Sequence, residues 1–295
     1  MFSILKNKKN EKFDALILGA PFDGSYSFRG GASKGPDEII KCFADHLEVF
    51  DRFTNTQPYY LYDIRYFGLP TLKKMGDIEA VKKIEETYNF FSDKLTILLG
   101  GTHTVSIGAF NFFSKKYKPQ DVTILQIDAH PDMRDNTNDY KDNGTKYDHA
   151  CVMRRAVELG FKTVQVGIRT ISQFDHDFIT KNNLKVFEWG KGATPSINEI
   201  INSIKTDKVY LTFDIDGLDP TCAPATGTPI PGGIDWNYSQ ELIRTLIKEK
   251  TIIGADIVEV APFKDDVLTQ YTAASICYNI ISYVLLKKDN KLNYV

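Results

Sequence analysis

VTILQIDAHPD, running from Val122 to Asp132, joins a short apolar run to three side chains of the types that can bind metals or substrates. The run is rich in β-branched residues and nearly continuous in apolar character, as expected of a strand buried on both faces. Five other runs share that character: ALILG from Ala15, TILLGG from Thr96, TVQVGI from Thr163, KVYLTFDID from Lys208 and IIGADIVEV from Ile252. LKVFEW from Leu184 is a weaker example. Helical patterns lie between them: IEAVKKIEETYNFFSDK from Ile78, SINEIINSIK from Ser196, YSQELIRTLIKEK from Tyr238, and a long one from about Val267 to Lys287. Strands that alternate with helices imply right-handed crossovers and a parallel sheet covered on both sides, an α/β class. Ligands of such open sheets sit beyond the carboxyl ends of the strands.

Composition narrows the classes. The chain has 295 residues, 42% hydrophobic and 25% charged, enough apolar material for a sizeable core. Residues 14–295 read as one domain, because no repeat, low-complexity linker or Pro/Gly/Ser-rich seam divides them. Residues 1–13 read as a polar tail with no assigned role. A net charge of −2, with no basic run beyond Lys6 to Lys12, gives no sign of a nucleic-acid partner. The start, MFSILKNKKNEKFD, lacks a secretory apolar core and cleavage site. ICYNIISYVLL, from Ile276, is too short and too polar to span a bilayer. Cys42, Cys151, Cys222 and Cys277 are scattered without a CxxC pair and read as reduced thiols of a cytoplasmic protein with no membrane partner.

Four predicted strands end in chemistry-bearing residues. TILLGG leads directly to Thr102 and His103, and VTILQI to Asp128, His130 and Asp132. VYLTF ends in Asp214 and Asp216, and ADIV in Glu259. On an extended chain, side chains two residues apart point the same way, about 6.6 Å apart along the strand. Asp128, His130 and Asp132 therefore converge on one region, and Asp214 with Asp216 repeats the spacing. Aspartates at the end of an apolar strand cost several kcal/mol to bury as bare charges unless a cation or hydrogen bonds compensate. Taken alone, a DxHxD segment is also read as acids that cap the next helix, and a His after Gly-Gly as an ordinary loop residue. Capping does not account for all of them falling at strand ends together. Four carboxylates and two imidazoles (His103, His130) suit two divalent ions that share bridging carboxylates, and the oxygen-rich set favours Mn²⁺.

These residues carry a resemblance. GAPFDGSYSFRGGASKGPDEI from Gly19, GGTH from Gly100, DAHPD from Asp128, FDIDGLDP from Phe213, GTPIPGG from Gly227 and VEVAP from Val258 resemble the ureohydrolase family of arginases and agmatinases, in the family's order and over nearly the whole chain. The resemblance implies a three-layer α/β/α sandwich with a central, mostly parallel sheet of about eight strands. It implies that His103, Asp128, Asp132 and Asp214 hold one metal and Asp128, His130, Asp214 and Asp216 the other, two Mn²⁺ per chain. A hydroxide bridging the cations is then the expected nucleophile on the guanidinium carbon. By the same resemblance, Asp132 orients the nucleophile, Glu259 pairs with the guanidinium, and His149 transfers a proton to the leaving amine. Thr102 and Thr104 depart from the family's usual flanks of the histidine, which implies tuning and not loss of metal.

The loop MRDNTNDYKDNGTKYDHACVMRR, from Met133, resembles the agmatinase pattern, with Arg-Asp and then His-Ala before an Arg-Arg helix. Agmatine, cleaved to urea and putrescine, is therefore the expected substrate. Arginine, guanidinobutyrate, formiminoglutamate and guanidine are the alternatives within the family. Asp135, Asp139, Asp142 and Asp148 suggest affinity for a dication, nearly cancelled by Arg134, Lys141 and Lys146. Two other classes compete: a zinc deacetylase-like amidohydrolase, which lacks the second-metal residues present here, and a non-catalytic homologue, which would usually lose a ligand. The family also implies a trimer or hexamer.

Overall fold

The computed structural model describes residues 3–4, 12–24, 26–138 and 144–294. Nine strands form one sheet: β1 (Ser3–Ile4), β2 (Ala15–Ala20), β3 (Ile64–Gly68), β4 (Leu95–Gly100), β5 (Val122–Ile127), β6 (Lys162–Ile168), β7 (Lys185–Glu188), β8 (Lys208–Asp214) and β9 (Thr251–Val258). Their order is β1-β3-β2-β4-β9-β8-β5-β6-β7, and every pairing is parallel. The expected sheet is thus present, with a two-residue edge strand as the ninth member. That edge lies within the stretch read as a polar tail, of which residues 1–2 and 5–11 lie outside the described residues.

The strands are continuous apolar runs because both faces are covered. Ala15 and Ile17 of β2, Ile97 and Leu99 of β4, and Leu211 and Phe213 of β8 face one core. That core is shared with α1 (Gly35–Asp45), α7 (Ile197–Ser203), α8 (Trp236–Glu249) and α9 (Leu268–Lys288). Leu16, Leu18, Leu98, Ile124 and Tyr210 face the other, under α3 (Asp77–Phe90), α4 (Val105–Lys116) and α5 (Val152–Glu158). Phe178 and Ile179 of α6 (Gln173–Lys181) pack against its margin. A one-turn helix, Pro58–Leu61 (α2), adjoins α9. Helix starts follow local chemistry: Ser196 and Ser172 close capping boxes with Glu199 and Asp175, and Asp235 caps α8. The four cysteines are free, with Cys151 and Cys277 buried. No helix among the described residues is long and apolar enough to cross a membrane.

The chain path sets the site. After β4 it skips two positions to β5, runs outward to β7, then returns to fill the gap with β8 and β9. The four neighbours β4, β9, β8 and β5 thereby bring together the carboxyl ends that carry His103, Glu259, Asp214 and Asp128.

Candidate metal centre

Two clusters of metal-ligand type form at these strand ends, His103 with Asp128 and Asp132, and Asp128 with His130 and Asp216. Asp128 belongs to both. His103 Nδ1 is buried without a hydrogen-bond partner among the described residues. It faces Asp132 Oδ2 at 3.0 Å, Asp128 Oδ2 at 3.3 Å and Asp214 Oδ2 at 3.4 Å. His130 Nδ1 lies 3.1 Å from Asp216 Oδ2 and 3.6 Å from Asp128 Oδ1. All six residues read from the sequence as ligands are therefore in one place. A bare imidazole nitrogen among three carboxylate oxygens is an arrangement that a divalent cation completes, so the donor set fits one.

Backbone and neighbouring side chains hold the carboxylates in place. Asp128 accepts from the His130 N–H at 2.6 Å and from Gln126 Nε2 at 2.7 Å. Asp216 accepts from the Ala129 N–H at 3.1 Å, and Asp214 from the Asp216 N–H at 2.9 Å. The turn after β8 comes so close to Asp128 that a Cβ on Gly217 would stand 2.7 Å from the Asp128 nitrogen. Only glycine fits there.

The electrostatics show a cluster short of positive charge. Burial raises Asp132 to about 7, with the Asp128 charge adding to it. Burial also lifts Asp214 well above the carboxylate range, helped by Asp216 and Asp128. For Asp128, burial is outweighed by hydrogen bonds with His103 and His130, which hold it well below that range. Burial lowers His130, but the Asp216 charge and hydrogen bonds carry it up to about 12. Without metal, protons must take the place of cations here.

Above the carboxylates opens a cavity of about 380 Å³, lined by His130, Asp132, Asp214, Asp216, His149 and Glu259 among others. Glu259 Oε1 accepts from the His103 N–H at 2.6 Å, and burial raises its carboxyl to about 7. His149 is tied at both nitrogens, to buried Asp148 Oδ1 at 2.8 Å and to Ser27 Oγ at 2.9 Å. Burial lowers His149, but the Asp148 hydrogen bond outweighs it and the net shift is upward. The sequence reading named Asp148 only as a loop acid and gave Ser27 no role, although Asp148 has a local signal as an Asp two residues before the Ala150 N–H that it caps.

The two loop acids among the described residues are engaged by protein groups. Asp148 serves His149, and Asp135 pairs with Arg155 at 3.1 Å. Asp139, Lys141 and Asp142 lie outside the described residues. Arg134, Tyr26, Thr170 and Ser172 line the cavity with Asp175, whose carboxylate is occupied by Ser172 and the Met133 N–H.

Comparison with known proteins agrees with this geometry. A family model described as the arginase family matches residues 13–282. An N(1)-aminopropylagmatine ureohydrolase of Synechocystis sp. is 33% identical over 91% of this chain and 88% of the relative. A guanidinobutyrase of Pseudomonas aeruginosa is 31% identical over 92% and 86%. The crystal structure of an agmatine ureohydrolase of Thermoplasma volcanium superposes with a TM-score of 0.81 at 27% identity, covering 98% and 97% of the two chains. The family model spans most of the chain and these similarities run over nearly all of it: the chain belongs to the arginase family and is a hydrolase of the ureohydrolase kind.

Proposed function

We propose that the protein hydrolyses agmatine to urea and putrescine, with two Mn²⁺ as its resident metals. The observation that carries this reading is the pair of ligand clusters sharing Asp128 on the floor of a cavity walled by Glu259 and His149. His103, Asp128, Asp132 and Asp214 would hold one ion, and Asp128, His130, Asp214 and Asp216 the other. Two divalent cations supply a hydroxide nucleophile at neutral pH, which water alone does not.

The protein's own groups supply the rest. The Glu259 carboxylate pairs with the guanidinium and fixes its angle, anchored by its bond from the His103 N–H. Asp132 accepts a hydrogen bond from the attacking oxygen and so aims it at the guanidinium carbon. One C–O bond forms, one C–N bond breaks, the oxygen that becomes the urea carbonyl gives its own proton up to Asp132, and the departing amine takes a proton. His149 delivers that proton, its ring held by Asp148 and Ser27. The alkyl tail points past Tyr26, Ser27 and Thr170 towards the cavity mouth.

A second substrate, N(1)-aminopropylagmatine, is favoured by the 33% relative and by the exposure of Tyr26 and Thr170 at that mouth, where a longer tail has room. The test is urea release by the Mn²⁺-loaded protein from agmatine, N(1)-aminopropylagmatine, arginine, guanidinobutyrate and guanidine side by side. Preferred turnover of agmatine supports the proposal. Preference for another member of the panel replaces the substrate and keeps the chemistry. No urea from any of them overturns both.

A further inference from the structure

Beneath the metal centre a polar chain runs down into the sheet. Thr212, on β8, and Asp256, on β9, are both fully buried. Thr212 Oγ1 lies 2.7 Å from His103 Nε2 and 2.6 Å from Asp256 Oδ1. A carboxylate only accepts, so Thr212 gives its single proton to Asp256. Its oxygen is then left to accept from His103, which places the ring proton on Nε2. Nδ1 is then the nitrogen left to give a lone pair to a cation, and it is the one that faces Asp132, Asp128 and Asp214. The other Asp256 oxygen accepts from the Tyr210 hydroxyl at 2.9 Å, so the carboxylate is held on both sides.

Asp256 is otherwise out of place. It interrupts a strand of Ile, Gly, Ala and Val, and among the described residues it has no Lys or Arg partner. Burying such a carboxylate is costly, and here hydrogen bonds from Thr212 and Tyr210 offset it. Its charge decides the polarity of the chain. A neutral acid or an amide in its place can donate to Thr212, turn the Thr212 hydroxyl towards His103 Nε2 and force the ring proton onto Nδ1, where it blocks the metal.

We infer that Asp256, acting through Thr212, is a positioning residue that fixes the tautomer of His103 and so presents Nδ1 to a metal ion. The inference rests on the two-metal reading above. Histidine ligands are commonly oriented in this way by a hydrogen bond to the other ring nitrogen, and loss of the partner typically weakens metal binding about 10–100-fold.

The experiment titrates Mn²⁺ into the full-length, metal-free protein, counting free ion by electron paramagnetic resonance. Wild type is compared with Asp256→Asn, Thr212→Val and Thr212→Ser, and each metal-free form is also melted. Two ions should bind wild type. Asp256→Asn and Thr212→Val should weaken one of them about 10–100-fold and leave the other unchanged, while Thr212→Ser restores it. Thr212→Val is nearly isosteric, so it carries the test if Asp256→Asn does not fold. Wild-type affinities in the variants that fold overturn the inference and leave the metal reading intact. Equal weakening of both ions, with a lowered melting temperature, also overturns it, since that is what a merely structural role produces. A wild type that takes up no divalent ion removes the metal reading and this inference together.

Discussion

Glu259 and Asp132 sit at φ 64° and 52°, in the left-handed region that side chains rarely adopt. Each such residue costs of order 1–3 kcal/mol, a strain that survives only where surroundings enforce it. For Glu259 they do: its N–H donates to Gly101 O at 2.8 Å and its carboxylate receives the His103 N–H. Glu259→Gln keeps that geometry and removes the charge. We expect kcat/KM for the guanidino substrate to fall about 10²–10³-fold, the scale for breaking one partner of a buried charge pair, with Mn²⁺ content unchanged. Full turnover would strike Glu259 from its role. His149 offers a pH test. Its upward shift depends on Asp148, so Asp148→Asn should lower its pKa. A proton donor works only below its pKa, so the alkaline limb of the kcat profile should move to lower pH. An unmoved limb would dissociate Asp148 from the proton transfer. That Asp128, His130 and Asp132 gather in one region with Asp214 and Asp216 was legible in the sequence, because a two-residue spacing at the end of a strand is a local signal. Ser27 was not, since it meets His149 from 122 residues away.

Arg169, just after β6, shows how elements are pinned around the site. Its guanidinium donates to the carbonyls of Asp216 at 2.7 Å, Leu218 at 3.2 Å, Gly167 at 3.0 Å and Ile230 at 2.7 Å. It thereby ties the turn that carries Asp216 to the loop that brings Gly227 and Thr228 to the cavity. Lysine has one point charge where arginine has a planar fork of donors. We expect Arg169→Lys to destabilise the fold by about 2–3 kcal/mol, seen as a lower urea midpoint at unchanged slope. A wild-type midpoint would show that the fork is dispensable. The strongly apolar runs were legible as strands because burial on both faces leaves no alternation to misread. β3 was missed because IRYFG is short and mostly half-buried. α4 was missed for the opposite reason: VSIGAFNFFSKK is apolar almost all round, so it shows no amphipathic stripe.

For the molecule as a whole, the metal centre links folding, charge and pH. Ions that bind only the native state stabilise it by about 2.7 kcal/mol per site at 100 times Kd. We expect the melting temperature to rise with Mn²⁺ concentration and to fall on adding EDTA. In the metal-free protein His130 is raised to about 12 by Asp216, against a burial effect that lowers it. It therefore carries a proton at neutral pH, and its pairing stabilises the metal-free fold fully below about 6.5 and loses that effect as pH rises towards 12. A metal must displace this proton, so Mn²⁺ affinity should rise with pH and binding should release protons, measurable by calorimetry in buffers of differing ionisation heat. Binding without proton release would refute the assignment of His130. Local pattern alone was enough for the α/β class, the parallel strands and the six candidate ligand positions, because burial on two faces and ligand-type spacing along a strand are both written into neighbouring residues. What only the tertiary structure decided was the assembly of Asp256, Thr212 and His103 into one chain and the pairing of Ser27 with His149. The first arises because β9, the last strand to enter, inserts between β4 and β8, and the second because the segments after β2 and β5 meet at the cavity; no local spacing records which distant segments become neighbours.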